Sequence, residues 1–356
     1  MKLNHLNLTI TASLIAPFGR YPMKKPIRFI LAPAFPVLLA LCTNTVSETS
    51  VQAAEREAPA KALAEWLKRQ GYVAIPMVLD KAGWLDVKVE VEGLPMLFML
   101  DTGANNVNLH RPSAQRAKLP IKEVEEKTSA LGGTLTTGRT KITKLTVGTL
   151  NSPADSYVVD FAPVNTARKG FGEPPMDGVL GGSFLVYWSA ILDYPHSKLY
   201  LLDPSRKSKS PANLLKRDGY VEVPLELNKL AILDVEVETD GKPMYFSLDT
   251  GARGIVSLDR SSAKRIKLAV KENEAKSSEL GGALMTGSAV FQQLWVGRYV
   301  SSVEVQVTDF STTNDLRKAN RIPRCDGTLN GGFLKERSAI IDYAHRKLYV
   351  FDPHRD

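Results

Sequence analysis

The sequence contains little cysteine and little histidine. Its 356 residues include two cysteines and five histidines, so neither a disulfide framework nor a Cys/His zinc site is expected. With 44% apolar and 24% charged residues, the composition excludes a disordered polymer, a collagen-like repeat and a multi-span membrane protein. The length fits two domains of about 150 residues each.

The amino-terminal segment is typical of a secretory signal peptide. A basic cluster at 24–28 precedes an apolar run from Phe29 to Leu41, and residues 51–53 read Val-Gln-Ala, which fits a small-x-small cleavage rule. The apolar run is shorter than the ~20 residues that span a bilayer. We therefore expect residues 1–53 to be removed, with Met23 as the better placed start, leaving a periplasmic or secreted protein that is not held at a membrane. An uncleaved amino-terminal anchor is the alternative interpretation.

The charge gives little reason to expect a nucleic-acid partner. The formal net charge is +8, and the predicted signal peptide carries half of it, which leaves a weakly basic mature chain. That mature chain keeps one cysteine, Cys325, so no internal disulfide can form and the core must supply the stability. We expect Cys325 to be a buried or half-buried thiol.

The rest of the sequence contains one module twice. Leu100–Ala104 reads Leu-Asp-Thr-Gly-Ala and recurs 148 positions later, whereas Lys198–Tyr200 recurs after 149 positions. One residue inserted between the Asp-Thr-Gly-Ala motif and a later Gly-Gly motif accounts for the step. A register kept over this length indicates a duplicated structural unit. We predict repeat 1 at 63–204, an exposed linker at 205–211 and repeat 2 at 212–353.

Each repeat is predicted to be a small, mainly β unit. Leu85–Val91 alternates apolar and polar residues, which is typical of a half-buried strand. Glu92-Gly93 then predicts a hairpin turn, and the next strand, Met96–Leu100, leads directly into Asp-Thr-Gly-Ala. Repeat 2 follows the same pattern. We expect short helices after the two motifs, at Ser113–Lys118 and Ser261–Lys267.

The chemistry is predicted to lie in two identical carboxylate loops, Asp101–Ala104 and Asp249–Ala252. Glycine at the third position allows a sharp turn and a close approach of substrate. One Asp-Thr-Gly turn alone is weak evidence, because the same residues favour ordinary turns. Two copies in register favour a paired site. Two carboxyl groups at hydrogen-bonding distance cannot both ionise, so they share one proton and can supply both a general acid and a general base.

These loops resemble those of the aspartic peptidases of the retropepsin and pepsin group, and the chain looks like a bacterial, exported member with two fused repeats. Alanine after the glycine is similar to the retropepsin-like branch. Val179-Leu180-Gly181 matches the apolar-apolar-Gly segment that braces the loop in this family, whereas repeat 2 reads Thr328-Leu329-Asn330, with Gly331 one place later. The resemblance implies an all-β fold of two retropepsin-like β-barrel lobes, related by a pseudo-two-fold axis, with few short helices.

The resemblance also implies roles for individual residues. The implied catalytic pair is Asp101 and Asp249, and the implied supporting residues are Thr102, Gly103, Thr250 and Gly251. Hairpin flaps would close over the substrate. The implied flap and substrate-binding residues are Ala104, Asn105, Gly132, Gly133, Ala252, Arg253, Gly281 and Gly282. Because Asn105 and Arg253 differ, we expect the two ends of the cleft to be chemically unequal.

The predicted function is that of an aspartic endopeptidase. Water activated between Asp101 and Asp249 would hydrolyse an extended polypeptide, and no metal or cofactor is needed for this chemistry. Covalent fusion favours pairing of the two repeats within one chain, and hence a monomer, over pairing between chains. The alternative function is a non-catalytic peptide-binding protein that retains the fold. The repeated His196 and His345 are expected in surface turns rather than at a ligand site.

Overall fold

The structure is a computed structural model that describes residues 57–80, 83–130, 133–279 and 282–352. The predicted signal peptide lies outside the described residues. Within the described ranges, no helix is both long enough and apolar enough to cross a membrane.

The elements of repeat 1 and the helix before it follow in chain order. They are α1 (Glu57–Gln70), β1 (Val73–Pro76), β2 (Val78–Leu79), β3 (Leu85–Val91), β4 (Leu94–Leu100), β5 (Val107–His110), α2 (Arg111–Arg116), β6 (Lys122–Ala130), β7 (Gly133–Val147), β8 (Leu150–Val159), α3 (Ala162–Gly170), β9 (Gly178–Leu180), α4 (Gly182–Tyr187), β10 (Ile191–Asp193) and β11 (Lys198–Leu201).

Repeat 2 contains the same elements in the same order. They are α5 (Ala212–Arg217), β12 (Tyr220–Pro224), β13 (Glu226–Leu227), β14 (Leu233–Thr239), β15 (Lys242–Asp249), β16 (Val256–Asp259), α6 (Arg260–Arg265), β17 (Lys271–Glu279), β18 (Gly282–Val296), β19 (Tyr299–Thr308), α7 (Ser311–Ala319), β20 (Gly327–Asn330), α8 (Gly331–Glu336), β21 (Ile340–Asp342) and β22 (Lys347–Phe351).

Each repeat builds an eight-stranded sheet that curls back on itself. The strand order is β2-β3-β4-β9-β5-β8-β7-β6 in repeat 1 and β13-β14-β15-β20-β16-β19-β18-β17 in repeat 2. Additional pairings of β3 with β7 and of β14 with β18 close the two sheets. Equivalent strands occupy equivalent places, so each repeat forms one lobe of a two-lobed molecule.

A six-stranded sheet joins the lobes, with the order β1-β11-β10-β21-β22-β12. Three strands come from each repeat, and the order reads the same from either edge when the repeats are exchanged. At its centre β10 and β21 run antiparallel, with Ile191 opposite Asp342 and Asp193 opposite Ile340. This arrangement is that of a pseudo-two-fold axis. The predicted all-β fold of two retropepsin-like lobes with few short helices is confirmed.

Both faces of the six-stranded sheet are buried, which explains why its strands are apolar on both sides. Leu192 and Ile341 pack into the main core shared by the lobes, whereas Ile191 and Ile340 pack on the other face. There, α1 contributes Leu63 and Leu67, which are fully buried. Sequence analysis did not predict α1. Its two core residues are four positions apart, as one face of a helix requires, but that signal is short.

The predicted local pattern is largely present. In β3, Val87 and Val89 are buried and Lys88 and Glu90 are exposed. The turn residues Glu92 and Gly93 both have positive φ, 51° and 80°, as a two-residue hairpin turn requires.

The predicted helices begin too late and extend too far. The structure has them at Arg111–Arg116 and Arg260–Arg265. Lys118 and Lys267, at the predicted carboxyl ends, have φ of 54° and 60°, which is left-handed backbone and ends a helix.

One buried ion pair anchors a helix to each lobe. Arg168 of α3 donates to both carboxylate oxygens of Asp86 in β3, at 3.3 and 2.5 Å. Arg317 of α7 makes the equivalent contacts with Asp234 in β14, at 3.1 and 2.8 Å. All four side chains are almost completely buried. Losing the arginine would leave a buried aspartate without its ionic partner, so these pairs fix the position of the helix on each lobe.

The segment that joins the repeats is mostly exposed. Residues 203–210 run over the surface between β11 and α5, and Pro211 is buried where α5 begins. Tyr72 donates a hydrogen bond to Ser208 at 3.1 Å, which attaches this segment to repeat 1.

Candidate active site

The two carboxylate loops meet at the boundary between the lobes. Asp101 follows β4 and Asp249 ends β15, and the two carboxyl groups are close enough for each to affect the pKa of the other. A Cβ atom on Gly103 would lie 2.7 Å from the carboxyl carbon of Asp249, and one on Gly251 would lie 2.5 Å from that of Asp101. Each carboxyl group therefore lies directly against the glycine of the opposite loop, where a larger residue would collide.

Backbone amides hold each carboxyl group in the same way. Asp101 Oδ1 accepts from the N–H groups of Gly103 and Ala104 at 2.9 and 3.1 Å. Asp249 Oδ1 accepts from those of Gly251 and Ala252, both at 3.0 Å. The tight turn after each aspartate thus orients its carboxyl group with two donors, and no other side chain is needed for this.

The two threonines cross-connect the loops beneath the carboxyl groups. The N–H of Thr102 donates to Thr250 Oγ1 at 3.0 Å, and the N–H of Thr250 donates to Thr102 Oγ1 at 3.1 Å. Each hydroxyl then donates across the boundary, Thr102 to Leu248 O at 2.8 Å and Thr250 to Leu100 O at 2.7 Å. Both threonines are fully buried. This closed set of four bonds fixes the separation of the loops.

Burial raises the pKa of both carboxyl groups, although each residue keeps some surface accessible to solvent. For Asp249 the negative charge of Asp101 is the next largest cause, and it raises the pKa further. The backbone N–H donors act in the opposite direction and lower the pKa of each. The net effect is a raised pKa for both carboxyl groups, and because the two groups interact, the titration belongs to the pair.

A short strand braces each loop from the side. β9 runs parallel to β4, and Asp101 N–H donates to Leu180 O at 3.1 Å. After it, Gly181 fits only as glycine, because a Cβ there would lie 2.4 Å from Asn106 O and 2.7 Å from Ala104 O. In repeat 1 the brace is therefore backbone packed against backbone.

Repeat 2 braces its loop with a side chain. Asn330 stands at the position of Gly181 and is fully buried. Its Nδ2 donates to Arg253 O at 2.8 Å and to Ser257 Oγ at 2.9 Å. The inserted residue of repeat 2 lies here. Three residues, 253–255, connect Ala252 to β16, whereas two residues, 105–106, connect Ala104 to β5. The longer loop makes room for Asn330, which replaces the missing glycine contact.

The predicted flaps correspond to two long hairpins. β6 and β7 pair up to Ala130 opposite Gly133, and β17 and β18 pair up to Glu279 opposite Gly282. Gly133 and Gly282 thus begin the returning strands. The predicted flap residues Gly132 and Gly281 lie outside the described residues.

The residues after the two alanines differ, as the sequence indicates. Asn105 is partly buried, and its carbonyl oxygen accepts from Ser183 N–H at 2.8 Å. Arg253 is exposed, and its guanidinium carbon lies 5.4 Å from the ring centre of Trp84 and 4.7 Å from that of Phe171. The indole N–H of Trp84 donates to Gly251 O at 2.8 Å.

Trp84 and Phe171 were not predicted as site residues, because they break the repeat. Their equivalents are Ile232 and Asn320, so neither aromatic residue recurs. Departure from the repeat was the signal that could have identified them.

The other candidates lie apart from the carboxylate loops. His196 and His345 follow β10 and β21, and each ring contacts a buried aspartate, Asp193 or Asp342, at 2.8 Å. Cys325 is buried, and burial raises the pKa of its thiol to about 11. Among the described residues, no three His, Cys, Asp or Glu side chains come together as a metal ion would need.

Comparison with known families agrees with this geometry. The sequence model of the Aspartyl protease family matches residues 87–184 and again residues 235–331. Each match contains one carboxylate loop and its bracing strand, and the two together cover more than half of the chain. No curated protein matches the chain. The fold and the matches define a protein of two retropepsin-like repeats. It belongs to the aspartyl protease family.

Proposed function

We propose that this protein is an aspartic endopeptidase that hydrolyses extended polypeptides with Asp101 and Asp249. The observation that carries the proposal is the placement of two carboxyl groups, one from each repeat, each against the glycine of the opposite loop, with burial raising the pKa of both. Burying two carboxyl groups against each other costs stability. A catalytic use of the shared proton accounts for that cost.

The shared proton supports direct attack of water on a peptide bond. The ionised carboxylate removes a proton from water while the protonated carboxyl group donates its proton to the carbonyl oxygen. The water oxygen bonds to the carbonyl carbon, which gives a tetrahedral diol. The carboxyl group that took a proton from water then protonates the leaving nitrogen. The other carboxylate takes a proton back from one hydroxyl of the diol, and the C–N bond breaks. The pair returns to its starting protonation with no covalent intermediate.

The proposed substrate is polypeptide in an extended conformation, bound by one chain of the peptidase. The absence of side chains at Gly103 and Gly251 lets a substrate main chain approach the carboxyl groups. The two long hairpins, β6–β7 and β17–β18, are the proposed flaps that cover it and exclude water.

We propose a periplasmic or secreted location for this activity. The support is the order of basic, apolar and small residues in 1–53. The expected mature protein begins after Ala53, which intact mass measurement of the exported protein checks. A mass that retains the segment would favour the uncleaved anchor.

Single substitutions of the two aspartates test the proposal. Asp101→Asn and Asp249→Asn should each lower kcat for an unfolded protein substrate by about 100- to 10,000-fold, because either change removes the acid or the base. Asp155→Asn, at an exposed site on β8, is the matched control and should keep full activity. Full activity in either dyad variant, or peptide binding by the wild type without any cleavage, would contradict the proposal and favour a non-catalytic binding protein.

A further inference from the structure

An arginine rests on two aromatic rings beside the second carboxylate loop. Trp84 and Phe171 meet edge to face, with ring centres 6.4 Å apart and planes at 89°. We call these two residues the aromatic shelf. Arg253 lies over both rings. The shelf comes from repeat 1 and the arginine from repeat 2, so the cluster spans the boundary between the lobes.

The shelf is fixed in place by the site itself. Trp84 is 5% exposed, and its indole N–H is bonded to the carbonyl of Gly251, the glycine that lies against the carboxyl group of Asp101. Next to Trp84, the carbonyl oxygen of Gly83 is so close to Gly331 of repeat 2 that a Cβ there would lie 2.7 Å away. The ring under the arginine is thus held by the catalytic loop on one side and by the opposite lobe on the other.

The arginine is held but its charge is not neutralised. Arg253 follows Ala252, whose N–H binds Asp249 Oδ1, so its backbone is part of the loop. Its side chain is exposed, and none of its contacts within the described residues is with a carboxylate. The buried arginines of the two lobes, by contrast, each bind an aspartate. Stacking on two rings limits the rotamers of Arg253 while its edge keeps N–H donors for an incoming ligand, and that is the arrangement that favours two-point binding of a carboxylate.

The opposite end of the cleft has no such group. The equivalent of Arg253 is Asn105, which is uncharged and whose backbone carbonyl accepts from the N–H of Ser183 in α4. The equivalents of the shelf residues are Ile232 and Asn320, and neither is aromatic. The pseudo-symmetric positions therefore differ in charge. This difference favours one of the two directions in which a charged peptide could bind.

We propose that Arg253 on the aromatic shelf is a subsite for a carboxylate of the substrate, on one side of the scissile bond only. This inference rests on the proposed peptidase function and adds a substrate class to it. The carboxylate comes either from an Asp or Glu side chain or from the carboxyl terminus of the peptide, because a guanidinium binds both in the same way. Arg253 is a specificity-determining residue and takes no part in the proton transfers.

Peptide binding to the full chain carrying Asp101→Asn tests the subsite without turnover. The probes are unstructured peptides of twelve residues with a neutral fluorophore. Each position in turn carries either Glu or Gln, and each peptide is made with a free carboxyl terminus and with an amidated one. Anisotropy titrations should give about tenfold tighter binding for Glu over Gln at one position, or for free acid over amide. A Glu effect identifies a side-chain carboxylate, and an acid-over-amide effect identifies a chain terminus. Equal binding of all peptides would overturn the inference.

Four further substitutions, each combined with Asp101→Asn, show which group binds the carboxylate. Arg253→Gln should remove the tenfold preference while changing the binding of neutral peptides less than about twofold, and Arg253→Lys should retain part of the preference. Phe171→Ala, at a residue that is 44% exposed, should weaken it by removing half of the shelf. Arg298→Gln makes the same charge change in the exposed β18–β19 turn and should leave the preference intact. Equal losses for acidic and neutral peptides in Arg253→Gln would indicate a purely structural contact and overturn the inference.

Transfer of the arginine tests the need for the shelf. Asn105→Arg should create no second preference for acidic peptides, because no aromatic residue supports an arginine there; a second preference would show that the shelf is irrelevant. Cleavage by the wild type is measured in parallel. Neutral and acidic peptides that bind with the predicted preference but remain uncut would contradict the peptidase proposal and leave the subsite standing, whereas cleavage without preference would do the reverse.

Discussion

The two carboxylate loops are alike up to their alanine and differ from the next residue onward. Asp, Thr, Gly and Ala make the same bonds in both loops, with each distance reproduced to within about 0.2 Å. After the alanine, repeat 1 has a short loop closed by Gly181, and repeat 2 has a longer loop closed by Asn330. The identical part contains the two carboxyl groups on which the proposed chemistry depends. The different part includes the exposed Arg253 in repeat 2, where repeat 1 has the partly buried Asn105.

The comparison also shows that one brace can be built in two ways. Gly181 lets two backbones approach closely, whereas Asn330 connects two backbones with a side chain that also bonds Ser257 and Thr328. Both keep the short strand in register beside its carboxylate loop. A motif comparison that requires glycine at this position would reject repeat 2, although its loop is fully supported.

The largest effect should come from the parts that are the same. Arg168→Met and Arg317→Met should each lower the free energy of unfolding by about 3–5 kcal/mol, because each leaves a buried aspartate without its partner. Urea denaturation measures both. Arg298→Gln is the exposed control and should be nearly neutral. A large loss in one repeat and none in the other would show that the lobes are not supported alike.

Substitutions at Gly181 and Asn330 should destabilise the two repeats for different reasons. Gly181→Ala should cost about 1–3 kcal/mol, because its Cβ would press on the carbonyls of Asn106 and Ala104. Asn330→Ala should cost about the same for another reason, since it leaves buried polar partners unsatisfied.

Placing the glycine of repeat 1 at the equivalent position of repeat 2 sharpens this prediction. Asn330→Gly should be no better than Asn330→Ala, because the longer loop of repeat 2 would be left with a cavity and unsatisfied polar groups. Thermal unfolding of the three variants measures the differences. Rescue by glycine at 330 would show that the two braces are equivalent after all.

Much of this molecule could be predicted from the repeat. The features that were predicted recur in both copies: the alternating strand at Leu85–Val91, the turn at Glu92-Gly93 and the paired Asp-Thr-Gly-Ala loops. Recurrence in a fixed register turns weak local signals into a strong one. The six-stranded sheet could not be predicted in the same way, because its pairing of β10 with β21 joins residues about 150 positions apart with no local signal.

The aromatic shelf and helix α1 escaped prediction for different reasons. The shelf residues Trp84 and Phe171 lie far apart in sequence and have no equivalents in repeat 2, and only the fold brings them beneath Arg253. Helix α1 was missed because its apolar pattern is short, although α5 lies at the same place in repeat 2.

The smallest effect concerns the cost of the shared proton. Because burial raises the pKa of Asp249, the folded protein keeps a proton that the unfolded chain has released once the pH exceeds the ordinary aspartate range. The folded state then binds more protons than the unfolded state, so this group's contribution to stability falls as the pH rises toward the raised pKa. The amide of Asp249→Asn has no such proton to lose. The free energy of unfolding of this inactive variant should therefore exceed that of the wild type at pH 7, and the difference should be smaller at pH 4.

Urea denaturation across this pH range measures the slope, and Asp155→Asn, which changes an exposed carboxyl group, should leave it unchanged. Asp101→Asn should reduce the slope in the same direction as Asp249→Asn, since the proton belongs to the pair and either amide can take the hydrogen-bonded place opposite the remaining carboxylate. A changed slope in one variant alone would mean that the two loops, despite their matching bonds, hold their carboxyl groups in unequal surroundings.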